Sequence, residues 1–264
     1  MTRPPFEEQP ETPPGGFVSF GARDVPPGEK PALVRGVFDA VAGRYDLMND
    51  LMSGGAHRVW KDIVIARANP QPGELLLDVA GGTGDLGLRW MRAGAKTSAR
   101  RGGPPASAVV SDINADMLTA GRARRGARDV MWLQADAEKL PFADASADCV
   151  TIGFGIRNIT GRAAALAEMR RVLRPGGRFL CLEMSHPTTA ALEALYRRFS
   201  DHVIPALGKM AAGTSEPYRY FVESIRRFPD QQTLAGEMRA AGFARVAFTN
   251  FGGGVAALHT GWAL

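Results

Sequence analysis

Three carboxylates and one arginine carry most of the chemistry legible in this chain. Asp78, Asp112 and Asp136 each close or follow an apolar run, and Asp78 opens the turn Asp78-Val79-Ala80-Gly81-Gly82-Thr83-Gly84. Glycines there let a backbone approach a ligand that a Cβ would push away. Such a turn between a strand and a helix suits a dinucleotide, a nucleoside triphosphate or S-adenosylmethionine. A phosphate-gripping loop would need Gly-Lys-Ser/Thr, and no lysine is present. The stretch GTGDLG (82–87) keeps a loose dinucleotide match. Asp85 at the helix start opposes it, because an anionic pyrophosphate would be repelled. Asp112 is placed to accept hydrogen bonds from both ribose hydroxyls, although capping the next helix is equally good chemistry. Asp136, beside a backbone N–H, suits the adenine amino edge, or else a solvated turn. Three acids in order, one after each of the first three strands, point to S-adenosylmethionine, with Gly82 and Gly84 shaping its turn.

Those acids need a parallel sheet to present them. Strands are expected at Leu75–Val79, Ala108–Asp112, Val130–Gln134, Ala147–Gly153 and Arg178–Glu183, with helices near Leu86–Ala93, Ala115–Arg124 and Arg162–Leu173. RPGG (174–177) stops the last helix, since proline cannot continue it and glycine supplies the turn. The basic Gly/Pro segment 94–108 reads as an inserted solvated loop. Val34, Val37, Phe38, Val41 and Tyr45 recur at helical steps, and residues 188–241 are again helical and rich in aromatics. ARVAFTNF, a GGG turn and VAALHTGWAL form a terminal hairpin. Five βα-type strands plus that hairpin outline the α/β fold of class I methyltransferases: a seven-stranded, mostly parallel sheet with helices on both faces. A dinucleotide domain usually lacks the hairpin. Residues 1–31 hold eight of the 18 prolines and read as a flexible tail. Residues 32–264 then form one domain, with a helical cap over 32–70 and a substrate-side helical insertion over 188–228.

With 45% apolar and 22% charged residues the chain has an ordinary globular composition, and its net charge of +5 favours anionic surfaces without proving contact. Cys149 and Cys181 lie in apolar stretches and read as core; no Cys/His cluster suggests a metal. Few thiols suit a reducing cytoplasm. The Pro-rich, acidic N-terminus is no secretory signal, and no apolar run is long enough to span a bilayer. The expectation is a cytoplasmic protein, at most peripheral at the inner face of the membrane.

The long stretches VFDAVAGRYDLMNDLMSGGAHRVWKD (37–62), LLLDVAGGTGDL, SDINADML, ADAEKLPF, GFGIRNI (153–159), YRYFVESIRRFP (218–229) and VAALHTGW resemble the ubiquinone/menaquinone biosynthesis C-methyltransferases from about Ser19 onward. That resemblance implies methylation of a polyprenyl-benzoquinol or demethylmenaquinol ring carbon, and contacts to S-adenosylmethionine from Thr83, Asp112, Asp136 and Ala137. The chain departs from the family at Gly153, commonly serine, near His186, and in the 94–108 insertion.

A quinol carbon is nucleophilic only once a phenolic oxygen has lost, or partly lost, its proton, so the site needs positioning and proton handling. Arg157, just beyond the fourth strand, is the first candidate. A guanidinium is a poor base, so it would stabilise the phenolate or order a water; a structural salt bridge is the competing role. Asn158 would orient ring oxygens, and Tyr45 would line the transfer site or pack in the lid. His57 and His259 read as packed or surface residues; His186, beyond the fifth strand, is the one histidine near the ligand edge. The aromatic 188–228 segment suits an apolar tail or ordinary core. Arg122, Arg124, Arg125, Arg128, Arg197, Arg198, Arg226 and Arg227 suit anionic headgroups or solvated faces. Alternatives are a methyltransferase for another small apolar acceptor, an NAD-dependent oxidoreductase, or a non-catalytic binding module. Nucleic acid is disfavoured: GFGIRN stands where a base-flipping tetrad would be, without basic–aromatic interleaving. A homodimer or a quinone-biosynthesis complex stays open.

Overall fold

The computed structural model describes residues 16–39, 45–203 and 216–264. Seven strands make one sheet in the order β5-β4-β3-β6-β7-β9-β8: β3 (Leu75–Val79), β4 (Ser107–Asp112), β5 (Met131–Gln134), β6 (Ala147–Gly153), β7 (Leu173–Met184), β8 (Ala244–Phe251) and β9 (Ala256–Trp262). β3 to β7 pair in parallel; β9 runs antiparallel to β7 and to β8. The chain winds outward from β3 through β4 to β5, then returns to β6 on its other side. That reversal opens a crevice at the carboxyl ends of β3 and β6, where open α/β sheets bind ligands.

Strand alternation supplies two cores. Leu76, Ala108, Val110 and Cys149 face a cluster with Trp60, Val64, Trp90, Tyr218 and Phe221. Leu77, Val79, Val109, Val150 and Ile152 face the opposite one, with Leu166, Met169, Leu234 and Met238. The helices behind these residues are α3 (Ala56–Ala68), α4 (Asp85–Arg101) and α8 (Glu216–Arg226) on one face, and α6 (Arg162–Val172) and α9 (Gln231–Ala240) on the other. Side chains that alternate this way are buried from both sides, as a doubly covered sheet requires.

Two expectations change. The 94–108 segment is largely helix: α4 runs to Arg101, and only residues 102–106 connect it to β4. Gly94 lies inside the helix, where a Cβ would press on Ala106; it serves close packing and breaks nothing. The tail boundary also moves. Residues 1–15 lie outside the described part, but Val18–Phe20 (β1) and Arg23–Val25 (β2) form a hairpin and α1 (Lys30–Asp39) starts before residue 32. Phe20 and Val25 pack on Val34 and Tyr220, so local proline content is outweighed by buried apolar contact. The described residues of the cap form α1, α2 (Tyr45–Ser53) and α3, and those of the 188–228 segment form α7 (Ala190–Arg198), a π turn at Phe199–Val203 and α8. Val41, residues 204–215 and the Tyr45 side chain lie outside the described part.

Candidate functional site

The crevice is walled by four strand-end turns and roofed by α1. Ala80 and Gly82 follow β3; Asp112 ends β4, with Ile113 and Asn114 after it; Asp136, Ala137 and Glu138 follow β5; Phe154, Gly155 and Asn158 follow β6. Val34, Arg35 and Phe38 of α1 close it from above. The two central turns are strained: Ala80 has φ 48° and Phe154 φ 59°, left-handed values that cost a residue bearing a Cβ. They touch across Gly155, where a Cβ would lie 2.8 Å from that of Ala80. Alanine and phenylalanine do not advertise such a conformation, so neither residue was legible as part of the site.

Asp112 is the hinge of the arrangement. Its Oδ2 accepts from the Gly82 N–H and its Oδ1 from the Asn114 N–H, both at 2.8 Å. It does not cap α5 (Ala115–Arg122): Asn114 does, with Oδ1 accepting from the N–H groups of Asp116 and Met117. The Asn114 amide also donates to Asp39 Oδ1 at 2.7 Å, tying the roof to the β4 turn. Burial pushes the Asp112 carboxyl above its ordinary range, although the backbone donors oppose this. Gly82, at φ 55°, adopts a left-handed backbone that a Cβ would strain, and a Cβ there would displace Met117 Cε from 2.9 Å. Asp136 is exposed; its Oδ1 accepts from the Glu138 N–H at 2.9 Å, beside half-buried Ala137.

Other residues stand elsewhere than the motif suggests. Asp78 lies behind the turn, buried, accepting from Thr151 Oγ1 at 2.7 Å and from the Gly87 N–H at 3.2 Å; it shapes the loop rather than facing the crevice. Burial pushes its carboxyl up to about 7, against those hydrogen bonds. Thr83 is buried with its hydroxyl accepting from Arg124 at 2.8 Å and does not line the crevice. Gly84, at φ 74°, closes against the Trp132 ring at the start of α4, also away from it. Asp85 turns to Lys61 of α3 and to Arg89 one turn along its own helix, each at 3.0 Å. Burial alone would raise its carboxyl, but those two cations hold it well below the usual range. Its compensated charge therefore says little about pyrophosphate. The crevice itself says more, because Asp112, Asp136 and Glu138 outnumber Arg35 among its charged walls. An acidic cleft suits a sulfonium better than a diphosphate.

Arg157 and Asn158 point in different directions. Asn158 lines the crevice. Arg157 is buried and lines a second cavity beside it, shared with Lys30, Arg162, Tyr220 and Phe228. Its Nη1 donates to Glu183 Oε1 at 2.7 Å and to the Phe154 carbonyl at 2.6 Å, and its guanidinium lies 5.0 Å from the Phe221 ring centre. The salt bridge weighed against catalysis thus exists. It leaves Nε buried without an acceptor among the described residues. Ile159 and Thr160 border both cavities. His57 packs against Ser53, and burial with the nearby Lys61 lowers its ring to about 4. His186 and His259 bond the carbonyls of Phe228 and Gln231, so none of the three lines the crevice.

The chain matches the ubiE/COQ5 methyltransferase family over residues 27–263. It is 57% identical over 247 residues to the ubiquinone/menaquinone biosynthesis C-methyltransferase UbiE of Caulobacter vibrioides (strain NA1000 / CB15N), covering 94% of this chain and 98% of that protein. Against UbiE of Acidiphilium cryptum it is 51% identical over 251 residues, covering 94% and 97%. Among solved structures, a SAM-dependent methyltransferase of Thermotoga maritima superposes with a TM-score of 0.59 at 17% identity, over 87% of this chain and 99% of that one, a likeness of fold. By sequence along nearly its whole length, and by a sheet with the matching terminal hairpin, the chain belongs to the ubiE/COQ5 methyltransferase family.

Proposed function

We propose that this protein transfers a methyl group from S-adenosylmethionine to a ring carbon of a polyprenylated quinol in ubiquinone or menaquinone biosynthesis. The observation that carries this reading is the acidic, glycine-floored crevice at the β3/β6 switch point, in a chain more than half identical to a named quinone-biosynthesis C-methyltransferase. The cradle fits the cofactor: Asp112 offers carboxylate oxygens for ribose hydroxyls, Asp136 and Ala137 an edge for adenine, and Gly82 a surface without Cβ. When bound there, S-adenosylmethionine supplies an electrophilic methyl group.

The chain's own residues supply position and proton control. Asn158 lines the crevice, and its amide would hold a ring oxygen. Arg157, its Nη1 already committed to Glu183 and Phe154, keeps a buried Nε unmatched; an ordered water between that donor and the ring oxygen would carry its effect to the acceptor. The proton leaves with water rather than on the guanidinium, which stays protonated. Because Glu183 compensates Arg157 within the core, Arg157 acts as an oriented donor more than as a free charge. Tyr45, the first residue of α2, would line the transfer site from the cap.

Purified protein given S-adenosylmethionine and a demethylated quinol should yield the ring-methylated product by mass. Deleting the gene should accumulate the matching precursor, which also distinguishes a benzoquinol from a naphthoquinol. Calorimetric uptake of a nicotinamide nucleotide, with none of the sulfonium donor, would refute the reading. Peripheral membrane contact belongs to the same proposal. No described helix is long and apolar enough to cross a membrane. Arg197, Arg226 and Arg227 are engaged by Glu193, Asp201 and Asp24, which tempers their pull on lipid. Equal recovery in the supernatant with and without anionic liposomes at low salt would remove that part.

A further inference from the structure

Tyr220, in YRYFVES on α8, is buried and reaches the turn after β6 from 62 residues away: its hydroxyl donates to Asn158 Oδ1 at 2.9 Å. A side-chain amide has two faces of nearly the same shape, one accepting and one donating. In the structure the phenol donates to Oδ1, which leaves Nδ2, without a partner among the described residues, as the unused donor of a residue that lines the crevice. Burial pushes the Tyr220 phenol up to about 12, only partly countered by Arg157, so at neutral pH it keeps the proton it donates.

The surroundings hold Tyr220 in place. Phe20 of the β1–β2 hairpin packs on its ring with centroids 4.6 Å apart. Glu223, on the same helix, accepts from the Ala22 N–H at 3.0 Å, and Arg227 donates to the Arg23 carbonyl at 3.2 Å, fastening the hairpin down. On the other side Lys30 Nζ donates to the carbonyl of Ile159, the residue after Asn158, at 3.1 Å. The loop bearing Asn158 is thus clamped from the N-terminal hairpin, α1 and α8 together.

We propose that Tyr220 is a positioning residue: its hydroxyl sets the Asn158 amide so that Nδ2 donates to an oxygen of the acceptor ring. The site thereby favours acceptors that carry an oxygen at that place. The proposal rests on the reading that Asn158 contacts the acceptor.

The test is a mutant cycle on purified full-length protein, reading kcat and KM for a demethylated quinol and the Kd of S-adenosylmethionine by calorimetry. Tyr220→Phe keeps the ring and its packing; it should lower kcat/KM for the acceptor about tenfold, the scale of one hydrogen bond. Its cofactor Kd should stay within about twofold and its thermal midpoint near wild type. Asn158→Ala should lose at least as much, and adding Tyr220→Phe to it should cost nothing more. Asn158→Asp, which keeps an acceptor for Tyr220 but loses the donor, should resemble Asn158→Ala and does not depend on Tyr220→Phe folding. A Tyr220→Phe enzyme with wild-type kinetics, or an equal loss with and without Asn158, would overturn the role of Tyr220. Wild-type turnover in Asn158→Ala would instead overturn the contact on which it rests.

Discussion

Arg157 Nη1 and Glu183 Oε1 meet at 2.7 Å with side chains only 3% and 1% exposed. A pair so far from water is held by mutual need: desolvation of either ion alone would cost several kcal/mol. Glu183 also accepts from the Met184 N–H, so the pair is stitched to β7 as well as to the turn after β6. Burial raises the Glu183 carboxyl while Arg157 draws it back down.

Removing one partner should therefore be costly in two ways. Arg157→Ala is expected to lower unfolding stability by about 3–5 kcal/mol and to abolish most turnover. Replacing both partners, Arg157→Met with Glu183→Leu, should recover much of the stability and none of the turnover. Denaturant titration and a methyl-transfer assay measure the two separately. A double variant with wild-type turnover would take Arg157 out of the mechanism.

Asp112 serves both the loop and the proposed ribose contact. Asp112→Ala should weaken S-adenosylmethionine about 10- to 100-fold, as expected for one or two hydrogen bonds to a carboxylate. Calorimetry reads this directly. Unchanged affinity would leave Asp112 as a brace for Gly82 and Asn114 only.

Asp78 makes a prediction about pH. Its folded-state pKa, about 7, lies above the ordinary 3.8, so between those values the folded chain binds more protons than the unfolded one. The stability contribution of this group therefore falls as pH rises through that window. His57 acts in the opposite sense, because its ring is lowered from 6.5 to about 4 and its contribution is lost as pH falls. Asp78→Asn removes only the first effect, so the difference in unfolding stability between variant and wild type should shift in favour of the variant from pH 4 to 7. A difference independent of pH would mean that Asp78 is already charged in the fold.

Gly84 combines a left-handed φ of 74° with direct apposition to the Trp132 ring. Gly84→Ala should cost about 1–3 kcal/mol through strain and displaced packing. Tryptophan fluorescence during unfolding is a suitable probe, and a neutral substitution would show that the α4 start can shift freely.

Much of this architecture is local and could be read along the chain. Apolar runs located β3 and β6 to the residue, since a doubly covered strand leaves a compact signature bounded by turn residues. Acids at consecutive strand ends placed Asp112 and Asp136 on one rim because parallel strands end on the same side. Gly94 misled, as a glycine inside a helix looks the same whether it breaks the element or admits Ala106.

The positions of the strands along the chain, the carboxylates on their ends and the terminal hairpin were thus written into the sequence by itself. Tertiary structure alone decided which donors those residues keep. It bound Arg157 to Glu183 across 26 positions, gave Asn158 its orientation through Tyr220 across 62, turned Asp85 toward Lys61 and bent Ala80 and Phe154 into left-handed turns. The reason is physical: propensity and periodicity act between near neighbours in the chain. Ion pairing, desolvation and backbone strain depend on which distant side chains the topology brings within a few ångströms.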